Sequence, residues 1–161
     1  MELFEQLIID AIFSAIAAIG FAVISNPPAK AVMISAILSA IGHSFRYFLL
    51  FDLQMNIAVA TFFAAFLIGL MSVLFAKIIR CPSEVFTFPS LLPMIPGMYA
   101  YRMFLSFAKF TRTADSALYS GLIEDIFANG MTALFVMLAL VVGVSIPVML
   151  FHRESFRVTR R

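Results

Sequence analysis

Residues 126–151, IFANGMTALFVMLALVVGVSIPVMLF, contain no charged side chain, and HRESFRVTRR (152–161) follows at once. A bilayer core ~30 Å thick is crossed by roughly 20 apolar residues in a helix, so this stretch spans it with some tilt. Lys and Arg beside a span resist translocation, which assigns Arg153, Arg157, Arg160 and Arg161 to the cytoplasmic side. Read outward from here, the fold class is all-α: a polytopic membrane helix bundle. Residues 1–152 form a single transmembrane domain and 153–161 a basic cytoplasmic tail.

Composition agrees with that reading. Hydrophobic residues make up 63% of the chain and charged ones 12%, against about 45–50% and about 25% in soluble domains. The net charge of +2 comes largely from the tail. A basic cluster can mark nucleic-acid binding, but directly behind a span it sets topology and meets anionic headgroups. Cys81 is the only cysteine, which excludes an internal disulfide and a thiolate metal cage. His43 and His152 are too few for a zinc site without carboxylate help. No Gly-rich phosphate loop, nucleophile–base spacing or HExxH is present, so nothing in the sequence supports an enzyme or a cofactor. The start, MELFEQLIID, lacks the basic region of a secretory signal and reads as a retained first helix.

Hydropathy and proline placement predict about five membrane segments. The first, about 6–25, stops at Asn26-Pro27-Pro28, where donors are lost and the helix cannot continue. The second runs about 29–50 and contains His43 and Arg46. The third, about 57–79, ends at Lys77 and Arg80. The fourth is broken, because Pro89, Pro93, Pro96 and Gly97 fit no continuous helix; a helix resuming near Met98 reaches about Phe110. Lys109–Asp115 then reads as a loop and Leu118–Ile126 as a short interfacial helix before the fifth span. An outside N-terminus puts Lys30, Lys77, Arg80 and the tail on one side. Lys109 and Arg112 violate that pattern, leaving open whether the fourth segment crosses or re-enters.

Ionisable groups at membrane depth are costly and face a bundle interior or a wet cavity. In the second helix, Ser35, Ser39, Gly42, His43 and Arg46 share one stripe. Arg46 suits bidentate carboxylate binding and His43 a proton near neutral pH; the alternative is a small-residue packing seam with Arg46 snorkelling outward. After the break, Tyr99, Arg102, Ser106 and Lys109 form a second stripe, either an anion path or an interfacial amphipathic helix. Asp10, with Ser14 one turn on, is either a proton-coupling group or a solvated interfacial residue. Asn129 and Thr132 suit interhelical hydrogen bonds.

Four stretches resemble a known family: GFAVISNPP (20–28), IGHSFRYFL (41–49), FPSLLPMIPGMYAYRMF (88–104) and GVSIP (143–147). They are similar to the small subunit of the two-component threonine/serine exporters, the counterpart of the C-terminal half of single-chain members. The motif residues carried over are Gly42, His43, Arg46, Pro93, Pro96, Gly97 and Tyr101. The resemblance implies export of threonine and serine, or of C4-dicarboxylates such as succinate, from a bacterial inner membrane. It also implies a larger membrane partner. On these readings Arg46, Arg102, His43, Tyr99 and Ser106 are the candidate substrate contacts. Pro93, Pro96 and Gly97 are the helix break, and Asp10 is the proton-coupling candidate. Two further classes stay open: a homodimeric proton-coupled small-drug-type exporter using Asp10, and an assembly subunit that stabilises a membrane partner without transporting. A reporter fused after Arg161 should be active only in its cytoplasmic form; activity on the outer side would overturn this orientation.

Overall fold

Pro27 and Pro28 end the first helix and start the second, with Pro28 extended at φ −55°, ψ 142° as the N-cap. The computed structural model describes residues 2–113 and 116–151; the basic tail 153–161, His152 and Asp115 lie outside the described residues. The helices are α1 (Glu2–Ile24), α2 (Ala29–Phe51), α3 (Ile57–Ile79), α4 (Glu84–Leu91), α5 (Gly97–Arg112) and α6 (Tyr119–Leu150). A 3-10 turn, Leu92–Met94, separates α4 from α5, and a second, Ser116–Leu118, precedes α6. Among the described residues, α1, α2, α3 and α6 are long and apolar enough to cross a membrane. The remaining segment is the broken unit formed by α4, its 3-10 turn and α5.

Local chemistry accounts for the helix ends. The Asn56 side chain accepts the Ala58 N–H at 2.9 Å and caps α3. Arg80, in the left-handed region at φ 54°, closes it. Pro96 has no N–H to continue a helix and stands as the N-cap of α5. Lys109 and Arg112 sit in the last turn of α5, where cations complement the helix dipole.

Lipid drives helices together weakly, so small residues that allow close approach decide the packing. α1 and α2 run antiparallel, with reciprocal hydrogen bonds from the Ser39 hydroxyl to the Ser14 carbonyl and from the Ser14 hydroxyl to the Ser39 carbonyl. α2 meets α3 where Gly42 faces Ile68. α3 and α6 run parallel, Gly69 facing Val144 and Pro147 while Gly143 faces Phe62 and Ala65. Phe86 of α4 and Met94 of the 3-10 turn fill the core with Leu38 and Ile68. α2 therefore begins, and α3 ends, at the end of the bundle that carries Lys30, Lys77 and Arg80.

Two boundaries differ from the sequence reading. α5 continues to Arg112, because its basic last turn favours rather than breaks the helix. No separate interfacial helix spans Leu118–Ile126: α6 is one 32-residue helix. Glu124 and Asp125 do not interrupt it, and its proline, Pro147, lies near the far end. The start of α3, at Ala58 and Val59, lies against Leu138 and Val142. Residues 119–134 thus run past it for roughly 24 Å at 1.5 Å per residue, accompanied by α5.

A Cβ at Gly143 would lie 2.6 Å from the Phe62 carbonyl oxygen, and backbone cannot rotate away. Gly143→Ala should therefore force α3 and α6 apart and cost about 1–3 kcal/mol in detergent unfolding. Gly97→Ala meets nothing within 4 Å and should leave stability unchanged or slightly raised; a Gly143→Ala protein as stable as the parent would contradict the packing.

Candidate functional site

The polar stripe on α2 divides into two parts. Towards the start of the helix it serves packing: the Ser35 hydroxyl donates to the Ala31 carbonyl, and Ser39 pairs with Ser14 across α1. Towards its end it becomes a chain of charged groups. His43 Nδ1 lies 2.6 Å from Asp10 Oδ2. His43 Nε2 lies 3.0 Å from Arg46 Nη2, and Arg46 Nη1 donates to the Met94 carbonyl at 3.0 Å.

Arginine offers only donors, so Nε2 of His43 must be the acceptor of that bond. The imidazole then carries its proton on Nδ1 and donates it to Asp10 Oδ2. Adding a second proton, on Nε2, would set two donors face to face and end the contact with Arg46. The side chains of His43 and Asp10 keep 18% and 19% of their exposure.

Met94 is the last residue of the 3-10 turn. In an unbroken helix its carbonyl would accept the N–H four residues on; the Pro93–Gly97 interruption redirects it, and Arg46 supplies the donor instead. The two contacts use two of the five guanidinium N–H groups, leaving three for an anion. Tyr99, half-buried two residues into α5, lies close enough to act electrostatically on Arg46, as does Asp10.

Asp10, His43, Arg46 and Tyr99 are thus brought together beside the break, where Pro93 is half-buried, Pro96 is buried and Gly97 exposed. Arg102, Ser106 and Lys109 are not part of that cluster. They follow α5 away from it along α6, with Arg102 and Lys109 exposed and Ser106 buried. Tyr101 is exposed as well. Asn129 and Thr132 bond within their own helix, to the Asp125 and Ala128 carbonyls, rather than across helices. The Met94 carbonyl was invisible to side-chain reasoning. The Asp10–His43 pairing did have a sequence signal: both lie equally far from the Asn26-Pro27 turn that folds α1 back on α2.

Comparisons with known proteins follow this geometry. The family model described as "Threonine/Serine exporter, ThrE" matches residues 10–150. An uncharacterized protein of Haemophilus influenzae (strain ATCC 51907 / DSM 11121 / KW20 / Rd) is 36% identical over 150 residues, covering 93% of this chain and 49% of the relative. The chain therefore spans about half the length of that relative. No solved structure matches the chain.

The hydrogen-bond chain predicts coupled stabilities. His43→Ala leaves a half-buried guanidinium donor without its acceptor and should cost about 1–3 kcal/mol. Asp10→Ala in the same background should add less than it does alone, because the two act through one network. Circular-dichroism melts in detergent measure this; strictly additive losses would mean that the bonds contribute nothing jointly.

Proposed function

The chain belongs to the threonine/serine exporter family, and from that premise we propose that it is one membrane subunit of a secondary exporter for small carboxylate-bearing metabolites. The substrates are threonine and serine, or C4-dicarboxylates such as succinate. The complex sits in a bacterial inner membrane, with the N-terminus outside and the basic tail cytoplasmic. A larger membrane partner supplies the rest of the exporter.

The observation that carries this reading is the charged chain from Asp10 through His43 and Arg46 to the backbone of the break. Charges inside a membrane bundle mark substrate and ion paths. Transporters place such sites where helices are interrupted, because irregular backbone is tolerated only when it is buried in protein or lines a cavity. Arg46 is the proposed carboxylate contact, with three unspent donors and Tyr99 beside it. Asp10 and His43 form the proposed proton site. A proton on Nε2 detaches the imidazole from Arg46 and leaves a second cation next to it, so proton and carboxylate occupancy are linked. Arg102 and Ser106 lie along the α5 face leading from this point and serve to guide an anion rather than to hold it.

A small-drug-type exporter using Asp10 to hold an organic cation fits the site less well, because Asp10 already faces His43 and the neighbouring fixed charge is a guanidinium.

The test is efflux of serine, threonine and succinate from vesicles that contain the chain with and without its larger partner. Flux is expected only with both; Arg46→Lys should lower it and Arg46→Gln lower it further, since a point charge replaces a fork and then nothing replaces the charge. The apparent affinity should fall about tenfold or more, as loss of a charge-assisted contact of about 1.5–3 kcal/mol requires. Unchanged affinity in Arg46→Gln would remove Arg46 from the substrate site.

A further inference from the structure

α1 and α2 are joined by polar rungs one helical turn apart. Ser14 faces Ser39, Asp10 faces His43 and Gln6 faces Tyr47, each step running back along α1 and forward along α2. Antiparallel helices in one register repeat a contact about every 6 Å in this way. Between the upper two rungs the Ser44 hydroxyl donates to the Leu7 carbonyl at 3.1 Å.

The two ends of this ladder differ in kind. At the Ser14–Ser39 rung both side chains are buried, and both hydroxyls bond to backbone across the seam. Parting the helices there would orphan buried donors. The Gln6–Tyr47 rung is exposed and joins two side chains, the Tyr47 hydroxyl donating to Gln6 Oε1 at 2.5 Å. Glu5 stands exposed beside Gln6, and a carboxylate there belongs at the level of the headgroups and water. Both groups of the upper rung find other partners at that level, so the bond opens by side-chain rotation at small net cost. The Tyr47 ring packs on Phe51 one turn on, with centroids 4.3 Å apart, which holds the hydroxyl towards α1.

Apolar packing follows the same gradient. Ser14, Ala18 and Ala22 of α1 are buried, but none of its described side chains before Ser14 is. Over residues 3–13 the bonds that tie α1 to α2 are polar: Asp10 with His43, Leu7 with Ser44 and Gln6 with Tyr47. No buried side chain of α1 has to be uncovered to part the two helices there.

We propose that residues 3–13 of α1 are a flap hinged at the Ser14–Ser39 rung, and that the Gln6–Tyr47 bond is its latch, controlling proton entry to the Asp10–His43 pair. The proposal rests on the reading of that pair as the proton site. Tyr47 is a positioning residue: it acts by holding α1 closed over the pair. The charged and titratable groups around His43 are Asp10 on α1, Arg46 on α2 and, acting on Arg46, Tyr99 on α5. Tyr47→Phe leaves all of them in place and keeps the ring on Phe51, so it removes the latch alone.

NMR saturation transfer from water, on the full chain in detergent, tests this, with His152→Gln leaving His43 as the one histidine. The Nδ1 proton of His43 should exchange about three- to tenfold faster in Tyr47→Phe and in Gln6→Leu, the range that one neutral hydrogen bond spans. The double variant should be no faster than either, since both changes remove the same bond. Ser39→Ala, which removes a hydroxyl at the hinge, should leave the rate unchanged. A bond that only joins helices would lower the melting temperature without altering exchange in the folded chain. Unchanged exchange in both single variants, or equal acceleration in Ser39→Ala, would overturn the latch. In vesicles holding the exporter complex, Tyr47→Phe should also collapse an imposed pH gradient severalfold faster in the absence of substrate. Faster ring exchange with an intact gradient would instead count against the proton-site reading and leave the latch standing.

Discussion

A helix broken inside a membrane must satisfy its own backbone, and here one bond does so: the Arg46 guanidinium donating to the Met94 carbonyl at 3.0 Å. The carbonyl freed by Pro93, Pro96 and Gly97 needs a donor, and inside a helix bundle that donor comes from the protein. An arginine can be that donor only if its charge is balanced nearby, and Asp10, reached through His43, balances it. The order of α1, α2 and the broken segment follows. α1 must lie beside α2 to deliver Asp10, and the 3-10 turn must lie against the last turns of α2 to receive Arg46.

The rest of the bundle is arranged so that this network can be polar. Along the rest of α2, and along α3 and α6, contacts are made by Gly69, Gly143, small alanines and serines whose hydroxyls return to backbone carbonyls, with Gly42 closing the core beside the network. That part is closely packed because any added carbon would meet backbone or a branched side chain. The polar chain stands nearer the end that carries the 52–56 turn, and it remains part-exposed. The bundle thus pairs a close-packed region with a polar one built from charged side chains.

Much of this was legible in the residues. Uncharged runs bounded by prolines and cations gave three of the helices, α1, α2 and α3, to within a few residues, because lipid allows little besides continuous helix. The break was legible because Pro93, Pro96 and Gly97 admit no alternative. The length of α6 was not, since Glu124 and Asp125 look like the wet end of a span, yet a helix can continue past a membrane boundary at no backbone cost. Asn129 and Thr132 suggested bridges to other helices but bond within α6, a choice that depends on whether a neighbour comes within reach. Along this stretch α5 packs against α6, and both side chains return to their own helix.

The sequence by itself determined that the chain is helical, that it belongs in a bilayer, where it must break, and which few polar residues stand at depth; these follow from hydropathy, proline stereochemistry and the cost of charge in hydrocarbon, all local quantities. Tertiary structure alone decided which of those residues meet. Asp10 and His43 are far apart in the chain and touch only because the Asn26–Pro28 turn folds α1 back in one register, and Arg46 finds Met94 only because Gly42 lets the core close around it. It likewise separated Arg46 from Arg102, two cations that look equivalent in the sequence: α5 leaves the bundle just past the break and takes Arg102 with it. The physical reason is that hydrogen bonds and charge pairs act over a few ångströms, and such distances exist only once the helices have packed.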